Sequence, residues 1–217
     1  YDEQVDILSN WDSINENRRV VGVAGVDAHN NQNFRARYIE DGKVEWVGPN
    51  AKTMEIVEPG FKEKLLLEDS NKNGWAFKLE VDPYFISFNH VTNNVFSNKL
   101  TNFEIKNNLV AGHSFISFQS LAKADGFQYF AVDSNNNVSA ILGDSVSVNS
   151  VSKLKAVSPF PVQFQLINNG EVIDVVDNVY EYEFEPNNRI GNYRIVAKLF
   201  LDDAWVSWVF TNPIYIY

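Results

Sequence analysis

Nine short strand-like segments that follow one another after residue 125 constrain the fold of this chain more than any other feature. Each segment is rich in β-branched and aromatic residues, and turn-forming residues such as Asn168-Asn169-Gly170 and Asp202-Asp203 separate some of them. The segments are residues 127–132, 138–142, 154–157, 162–167, 172–176, 179–184, 193–201, 205–210 and 214–217. Short strands at this spacing predict an immunoglobulin-like antiparallel β-sandwich over residues 126–217, with a domain boundary near Asp125-Gly126.

The first part of the chain has a different pattern, which is typical of an α/β layer. Val5, Leu8 and Trp11 recur at helical spacing and predict a helix over residues 2–17. The continuous apolar run at residues 20–26 then predicts a buried strand. Together with the later strands, this succession of helix and buried strand predicts an α+β fold overall.

The elements between these two regions are predicted to be short. Asp41-Gly42 is a favourable turn dipeptide for a hairpin. Thr101 and Glu104 have the spacing of a capping box, so a helix is predicted from there to a C-terminal cap at Gly112. The other predictions are a short strand or helical turn at each of 52–57 and 62–68, a turn at 71–74, and strands at 75–81 and 113–118.

Asp27 and His29 are the candidate metal ligands of this chain. They follow the predicted strand at residues 20–26 and lie two positions apart, so their side chains point the same way if the chain stays extended. A carboxylate and an imidazole directed at one point are what a metal site needs. The alternative is a polar loop after a core strand that binds no metal, which is a common explanation of so short a motif.

Charge and composition exclude several classes of function. The chain has 18 Lys and Arg residues against 28 Asp and Glu residues and a net charge of -10, with no basic cluster beyond Arg18-Arg19. We therefore predict no nucleic-acid partner, whereas a phosphorylated small molecule remains open as a ligand. The absence of cysteine excludes disulfides and Cys-ligated zinc, and no 18-residue apolar run predicts a membrane span. None of these features indicates a cellular compartment.

The other polar and aromatic candidates have structural explanations. Of the three histidines, His90 and His113 are predicted to be structural or surface residues. The aromatic side chains of the later strands could form a platform that stacks on carbohydrate, but core packing is the favoured interpretation. These side chains are Tyr180, Tyr182, Tyr193, Trp205, Trp208, Tyr215 and Tyr217.

Several pieces of the chain, taken in order, carry a family resemblance. Trp11 and residues 18–29, which end in Asp27-Ala28-His29, are followed by Ala-Gly-His-Ser-Phe-Ile-Ser-Phe at 111–118. The later pieces are Gly126-Phe127, Gly143-Asp144, residues 191–195 and residues 211–216. In this order and spacing they resemble the C-terminal part of PHP-type (polymerase and histidinol phosphatase) metal-dependent phosphoesterases with an appended β-domain. Gly25-Val26-Asp27 departs from the commoner Gly-Ser-Asp form but keeps both ligands.

The resemblance implies that residues 1–125 are the C-terminal part of a PHP-like β/α barrel with metal ions at the ends of its strands. It implies that Asp27 and His29 bind zinc, manganese or iron, and that the ions hold and acidify a water whose hydroxide attacks phosphorus. The family's early His-x-His pair and its further ligands do not occur in this chain.

The start of the chain and the absent ligands lead to further expectations. The chain begins at Tyr1 rather than at a start Met or a signal peptide, so we expect that an N-terminal part of the same protein is missing. That part would supply the remaining ligands, and the chain alone would be inactive. The strand at residues 20–26 is expected to need an upstream strand from the missing part, from a separate polypeptide or from a neighbouring chain. The alternative function is a non-catalytic, β-rich binding or interaction module.

Overall fold

The computed structural model describes residues 5–29, 31–67 and 74–217. The chain divides into two compact units, of which the first comprises Tyr1–Gly25 with Val91–Tyr217 and the second comprises Val26–His90. Compact units of this kind do not test the predicted domain boundary near Asp125-Gly126, which stays a prediction.

The helices and strands alternate irregularly along the chain. In order they are α1 (Val5–Asn17), β1 (Asn33–Tyr38), β2 (Val44–Val47), β3 (Thr53–Val57), α2 (Phe61–Leu66), β4 (Phe77–Glu80), α3 (Tyr84–Ser87), β5 (Thr92–Val95), α4 (Asn102–Ala111), β6 (Ser114–Ser117), β7 (Gln128–Val132), β8 (Val138–Ile141), β9 (Ser145–Val146), β10 (Lys153–Asn168), β11 (Glu171–Phe184), β12 (Gly191–Leu201), β13 (Ala204–Thr211) and β14 (Ile214–Ile216). Short 3-10 helices occupy Glu40–Gly42, Pro49–Ala51 and Val148–Ser150.

The first unit contains one connected ten-stranded sheet. Its main path has the order β5-β6-β13-β12-β10-β7-β8, with β11 on β10 and with β14 joined to both β12 and β9. Strand β10 changes neighbour along its length, because Lys153–Val157 pairs with β7 whereas Gln163–Asn168 pairs with β12. Pro159 and Pro161 lie between these two parts, where a residue without an N–H group cannot donate to the ladder.

The predicted positions of the later strands are confirmed, but the immunoglobulin-like sandwich is wrong. The segments predicted at 154–157 and 162–167 are two parts of the single strand β10, and those at 172–176 and 179–184 are parts of β11. Register shifts interrupt the long β10–β11 pair without ending it. These long strands join all the pairings into one sheet, whereas an immunoglobulin-like sandwich has two separate sheets.

The predicted PHP-like barrel part over residues 1–125 is also wrong. A β/α barrel needs parallel strands that alternate with long helices. Among the residues that the structure describes, the one parallel pairing joins β9 to β14, and α2 and α3 contain only 6 and 4 residues. The fold is therefore mostly antiparallel β rather than the predicted α+β, without a portion of a β/α barrel in the described residues.

Residues 20–26 form no strand, in contrast to the prediction. Two distant side-chain amides take the place of a neighbouring strand, because each of them accepts from an N–H and donates to the C=O of the same residue. Asn212 bonds Gly22 in this way at 2.7 and 3.3 Å, and Asn93 bonds Ala24 at 2.9 and 2.8 Å. Val23 stays 62% exposed, so the run is not a buried core strand. That it pairs with an upstream strand stays a prediction.

Helix predictions that rest on local signals are confirmed in the first unit. Helix α1 covers the predicted helix from Val5 onward, and residues 2–4 lie outside the described residues. Thr101 Oγ1 accepts from the backbone N–H of Glu104 at 3.3 Å, and Gly112 ends α4 in the left-handed conformation with φ of 78°. No helix in the described part of the chain is long and apolar enough to cross a membrane.

Several aromatic side chains of the first unit fill its core. Trp208 and Tyr193 are fully buried, and Tyr182 is 3% exposed, so core packing is confirmed for these three. Phe127 contacts Trp208 edge to face with ring centroids 6.3 Å apart. Tyr180 and Tyr217 are exposed instead, at 56% and 69%.

The second unit is built on a four-stranded antiparallel sheet with the order β3-β2-β1-β4. The predicted hairpin at Asp41-Gly42 is confirmed, with Tyr38 opposite Val44 and Asp41 at a φ of 63°. The segment predicted as a strand or helical turn at 62–68 corresponds to helix α2, whereas most of the predicted turn at 71–74 lies outside the described residues. One face of the sheet packs in a small core around Ala36 and Val44.

Candidate functional site

Asp27 and His29 lie close together on an exposed stretch of the second unit. Asp27 Oδ1 is 3.6 Å from His29 Nε2, and the side chains are 94% and 61% exposed respectively. The predicted reason for their proximity was an extended strand, whereas Asp27 adopts the left-handed conformation with φ of 49°. A local turn therefore brings the two donor groups together.

The separation of the two donor atoms fits one metal ion. Two ligands at about 2.0–2.1 Å from a tetrahedral ion lie roughly 3.3 Å apart, so a small side-chain rotation brings 3.6 Å to that distance. Carboxylate and imidazole are ordinary ligands of zinc, manganese and iron. Over residues 5–29, 31–67 and 74–217, however, no group of three or more His, Cys, Asp or Glu side chains surrounds a common point. The described residues thus bring two candidate ligands together and no third.

The segment that follows His29 is fixed by residues at the start of α3. Asp82 accepts hydrogen bonds from the backbone N–H groups of Asn31 and Gln32, at 3.1 and 2.9 Å. The hydroxyl of Tyr84 donates to the carbonyl oxygen of His29 at 3.4 Å. Sequence reasoning missed both residues, although Asp82 before Pro83 is a helix-start signal that could have directed attention to this turn.

The other two histidines do not complete the site. His90 is exposed at the end of the second unit, as predicted for a surface residue. His113 belongs to the first unit, where Nδ1 lies 2.9 Å from Asn108 Oδ1 and Nε2 lies 2.8 Å from Asp144 Oδ1. This imidazole connects the last turn of α4 with the turn before β9, which agrees with the predicted structural role.

The comparisons with known proteins add no relative to this description. No protein-family model, no curated protein and no solved structure gives a significant match to the chain.

Proposed function

We propose that this chain is the C-terminal part of a metal-dependent phosphoesterase that resembles the PHP-type enzymes, and that Asp27 and His29 bind a divalent metal in it. The observation that supports this proposal is the 3.6 Å separation of Asp27 Oδ1 and His29 Nε2, both open to solvent. Zinc, manganese and iron all suit a carboxylate with an imidazole. When bound, such an ion offsets the charge that develops on phosphoryl oxygens.

Asp27 and His29 act as ligands in this proposal and transfer no proton. Because catalytic metal sites commonly take three or more ligands from protein, the pair alone holds an ion weakly. The remaining ligands come from an N-terminal part of the same protein. The chain of residues 1–217 is accordingly expected to show no phosphatase or phosphodiesterase turnover by itself.

The metal content of the longer protein tests the proposal. Purified protein that includes the upstream sequence should contain stoichiometric zinc, manganese or iron and should hydrolyse phosphate esters. Asp27→Ala and His29→Ala should each lower the metal content and the turnover at least tenfold, whereas His90→Ala leaves both unchanged. Phosphoesterase turnover by residues 1–217 that Asp27→Ala abolishes would contradict the division of the site between two parts of the protein.

The small number of candidate metal ligands supports a second candidate function. Because only two candidate ligands meet in the described residues, a non-catalytic β-rich binding or interaction module is the alternative. In that case, Asp27 and His29 form a polar turn, and the longer protein contains no stoichiometric metal. The same metal analysis therefore distinguishes the two functions.

A further inference from the structure

A pocket lies on the face of the second unit's sheet that is turned away from its small apolar core. Its volume is about 200 Å³, and its walls include Asn31, Arg35, Asn50 and Trp75. Residues of β1 alternate between the two faces, so Arg35 and Arg37 share the pocket face, whereas Ala36 lies in the core.

Arg35 differs from the other cations of this face in having no carboxylate partner among the described residues. Arg37 Nε donates to Glu45 Oε2 at 2.7 Å, and the second oxygen of Glu45 accepts from the hydroxyl of Thr53 at 2.6 Å. The hydrogen bond from Thr53, followed by that from Arg37, lowers the pKa of Glu45, so this carboxylate stays charged beside Arg37. Lys78, the cross-strand neighbour of Arg35 in β4, pairs with Glu80.

The side chain of Arg35 is held in place but is incompletely bonded. Its guanidinium lies over the ring of Trp75, with Cζ 5.6 Å from the ring centroid. Its Nε–H is buried and has no hydrogen-bond partner within the described residues. A buried charged donor without an acceptor is unfavourable, so Arg35 is the incompletely bonded cation among the residues that line this pocket.

The loop beside Arg35 is fixed in a strained conformation. Asn50 and Ala51 have φ values of 57° and 55°, and left-handed backbone is uncommon for alanine. The Asn50 N–H donates to the carbonyl of Asn31 at 2.9 Å, and Asn31 Nδ2 donates to Asn50 Oδ1 at 2.8 Å. Strain of this kind recurs at ligand-binding loops, and the two side-chain amides are further polar groups in the wall of the pocket.

We propose that this pocket binds the oxyanion group of a small ligand, a phosphate or a carboxylate, with Arg35 as its principal partner. The planar guanidinium matches two oxygens of either group, and Trp75 already restricts its orientation. On this face the carboxylates of Glu45 and Glu80 pair with Arg37 and Lys78, which leaves Arg35 as the cation that an oxyanion can neutralise. The proposal does not depend on a metal at Asp27 and His29.

Anion titration followed by NMR tests this proposal on the full chain of residues 1–217. Inorganic phosphate and acetate are added separately at constant ionic strength set with chloride. The signals to follow are the indole N–H of Trp75 and the Nε–H of Arg35, which Trp75→Phe and Arg35→Gln identify. A saturable shift of both signals is expected, and the anion that saturates them tells whether the pocket prefers phosphate or carboxylate.

Matched variants separate the pocket from general charge effects. Arg35→Gln should raise the apparent Kd at least tenfold, and Arg35→Lys, which keeps the charge but loses the planar fork, should raise it at least threefold. Lys43→Gln removes one charge from a lysine that pairs with Glu58 at 3.7 Å and should leave the Kd within twofold. Shifts that do not saturate with either anion, or an equal Kd for Arg35→Gln and the wild type, would overturn the proposal.

Discussion

The two compact units differ in how much apolar volume they bury. The first unit buries large aromatic side chains completely, among them Trp208, Tyr129 and Phe164. The apolar cluster of the second unit consists of Ala36, Val44, Leu67 and Ala76, with three partly buried side chains against it. Buried apolar area is the main favourable term in folding, so the first unit is expected to be much the more stable.

Both candidate sites lie in the second unit, which has the smaller apolar core. Asp27 and His29 and the pocket at Arg35 all belong to the second unit, whereas the histidine of the first unit is committed to structural hydrogen bonds. The second unit also leaves large apolar side chains exposed, such as Phe61 at 85% and Leu65 at 72%. Binding residues are often found in the less stable parts of a protein, which is where these lie.

Core truncation gives the largest expected effect and tests the comparison itself. Trp208→Ala removes a fully buried side chain and its hydrogen bond to Ala122 O at 2.8 Å, so we expect a loss of about 3–5 kcal/mol of unfolding free energy. Val44→Ala in the second unit removes only two methyl groups and should cost about 1–2 kcal/mol. Urea unfolding followed by circular dichroism measures both. Equal costs would break the proposed difference between the units.

The attachment of α1 to the sheet gives the next largest effect. Asp12 and Arg194 form a bidentate ion pair, with Nε–Oδ1 at 2.7 Å, and their side chains are only 10% and 5% exposed. Asp12→Ala leaves Arg194 charged and buried, so it should destabilise the first unit by about 3 kcal/mol. The double variant with Arg194→Met should recover much of that loss. A cost of Asp12→Ala below about 1 kcal/mol would show that the pair contributes little.

Two glycine substitutions, one in each unit, also compare the packing of the units, with smaller expected losses of unfolding free energy. Gly143 has a φ of 89°, and a Cβ there would lie 2.5 Å from Ala111 O and from Gly112 C, so Gly143→Ala should cost about 2–3 kcal/mol. Gly42 in the second unit has a φ of 72° with nothing within 4 Å of a Cβ. Gly42→Ala is therefore the matched control, with a cost of about 1 kcal/mol from the backbone alone. Thermal unfolding of the two variants checks the difference, and a smaller cost for Gly143→Ala would contradict the close approach.

Much of the secondary structure could be predicted from the sequence, because its signals are local. The turn residues between strands and the box formed by Thr101 and Glu104 act within a few positions of themselves. The topology could not be predicted in the same way, because β10 changes its neighbour midway. The prediction of a strand at residues 20–26 was wrong for a similar reason, because the residues that bond this segment, Asn93 and Asn212, are distant in sequence.

The candidate site was predicted in part. The identity of Asp27 and His29 followed from the motif, but their proximity depends on the left-handed backbone of Asp27, which alternation in a strand does not indicate. The pocket at Arg35 had no sequence signal. It depends on which carboxylate meets which arginine across the strands, and Glu45 reaches Arg37 through the register of β1 and β2.

The smallest expected effect is a pH dependence on the surface of the first unit. Hydrogen bonds and ion pairs with Lys153 and Lys155 lower the pKa of Glu183 from 4.5 to about 2. Because the pKa is lower in the folded state, the stabilisation is complete above pH 4.5 and is lost as the pH falls towards 2. The stability difference between wild type and Glu183→Gln should therefore shrink over that window.

Urea unfolding at several pH values measures this difference. Glu181→Gln is the control, because Glu181 lies two positions away in β11 and forms no ion pair among the described residues. Without a lowered pKa of Glu183, the difference in unfolding free energy between wild type and Glu183→Gln stays constant between about pH 5 and pH 2. That result would contradict the prediction.

Paramagnetic broadening by Mn²⁺ tests the central claim, that Asp27 and His29 act together as metal ligands, on this chain itself. Substoichiometric Mn²⁺ is added to the isotopically labelled chain of residues 1–217, and the NMR signals are followed residue by residue. The expected result is selective broadening around residues 27–29, removed by Asp27→Ala or His29→Ala and kept in His90→Ala. Broadening that is centred elsewhere, or that persists in both variants, would contradict the claim.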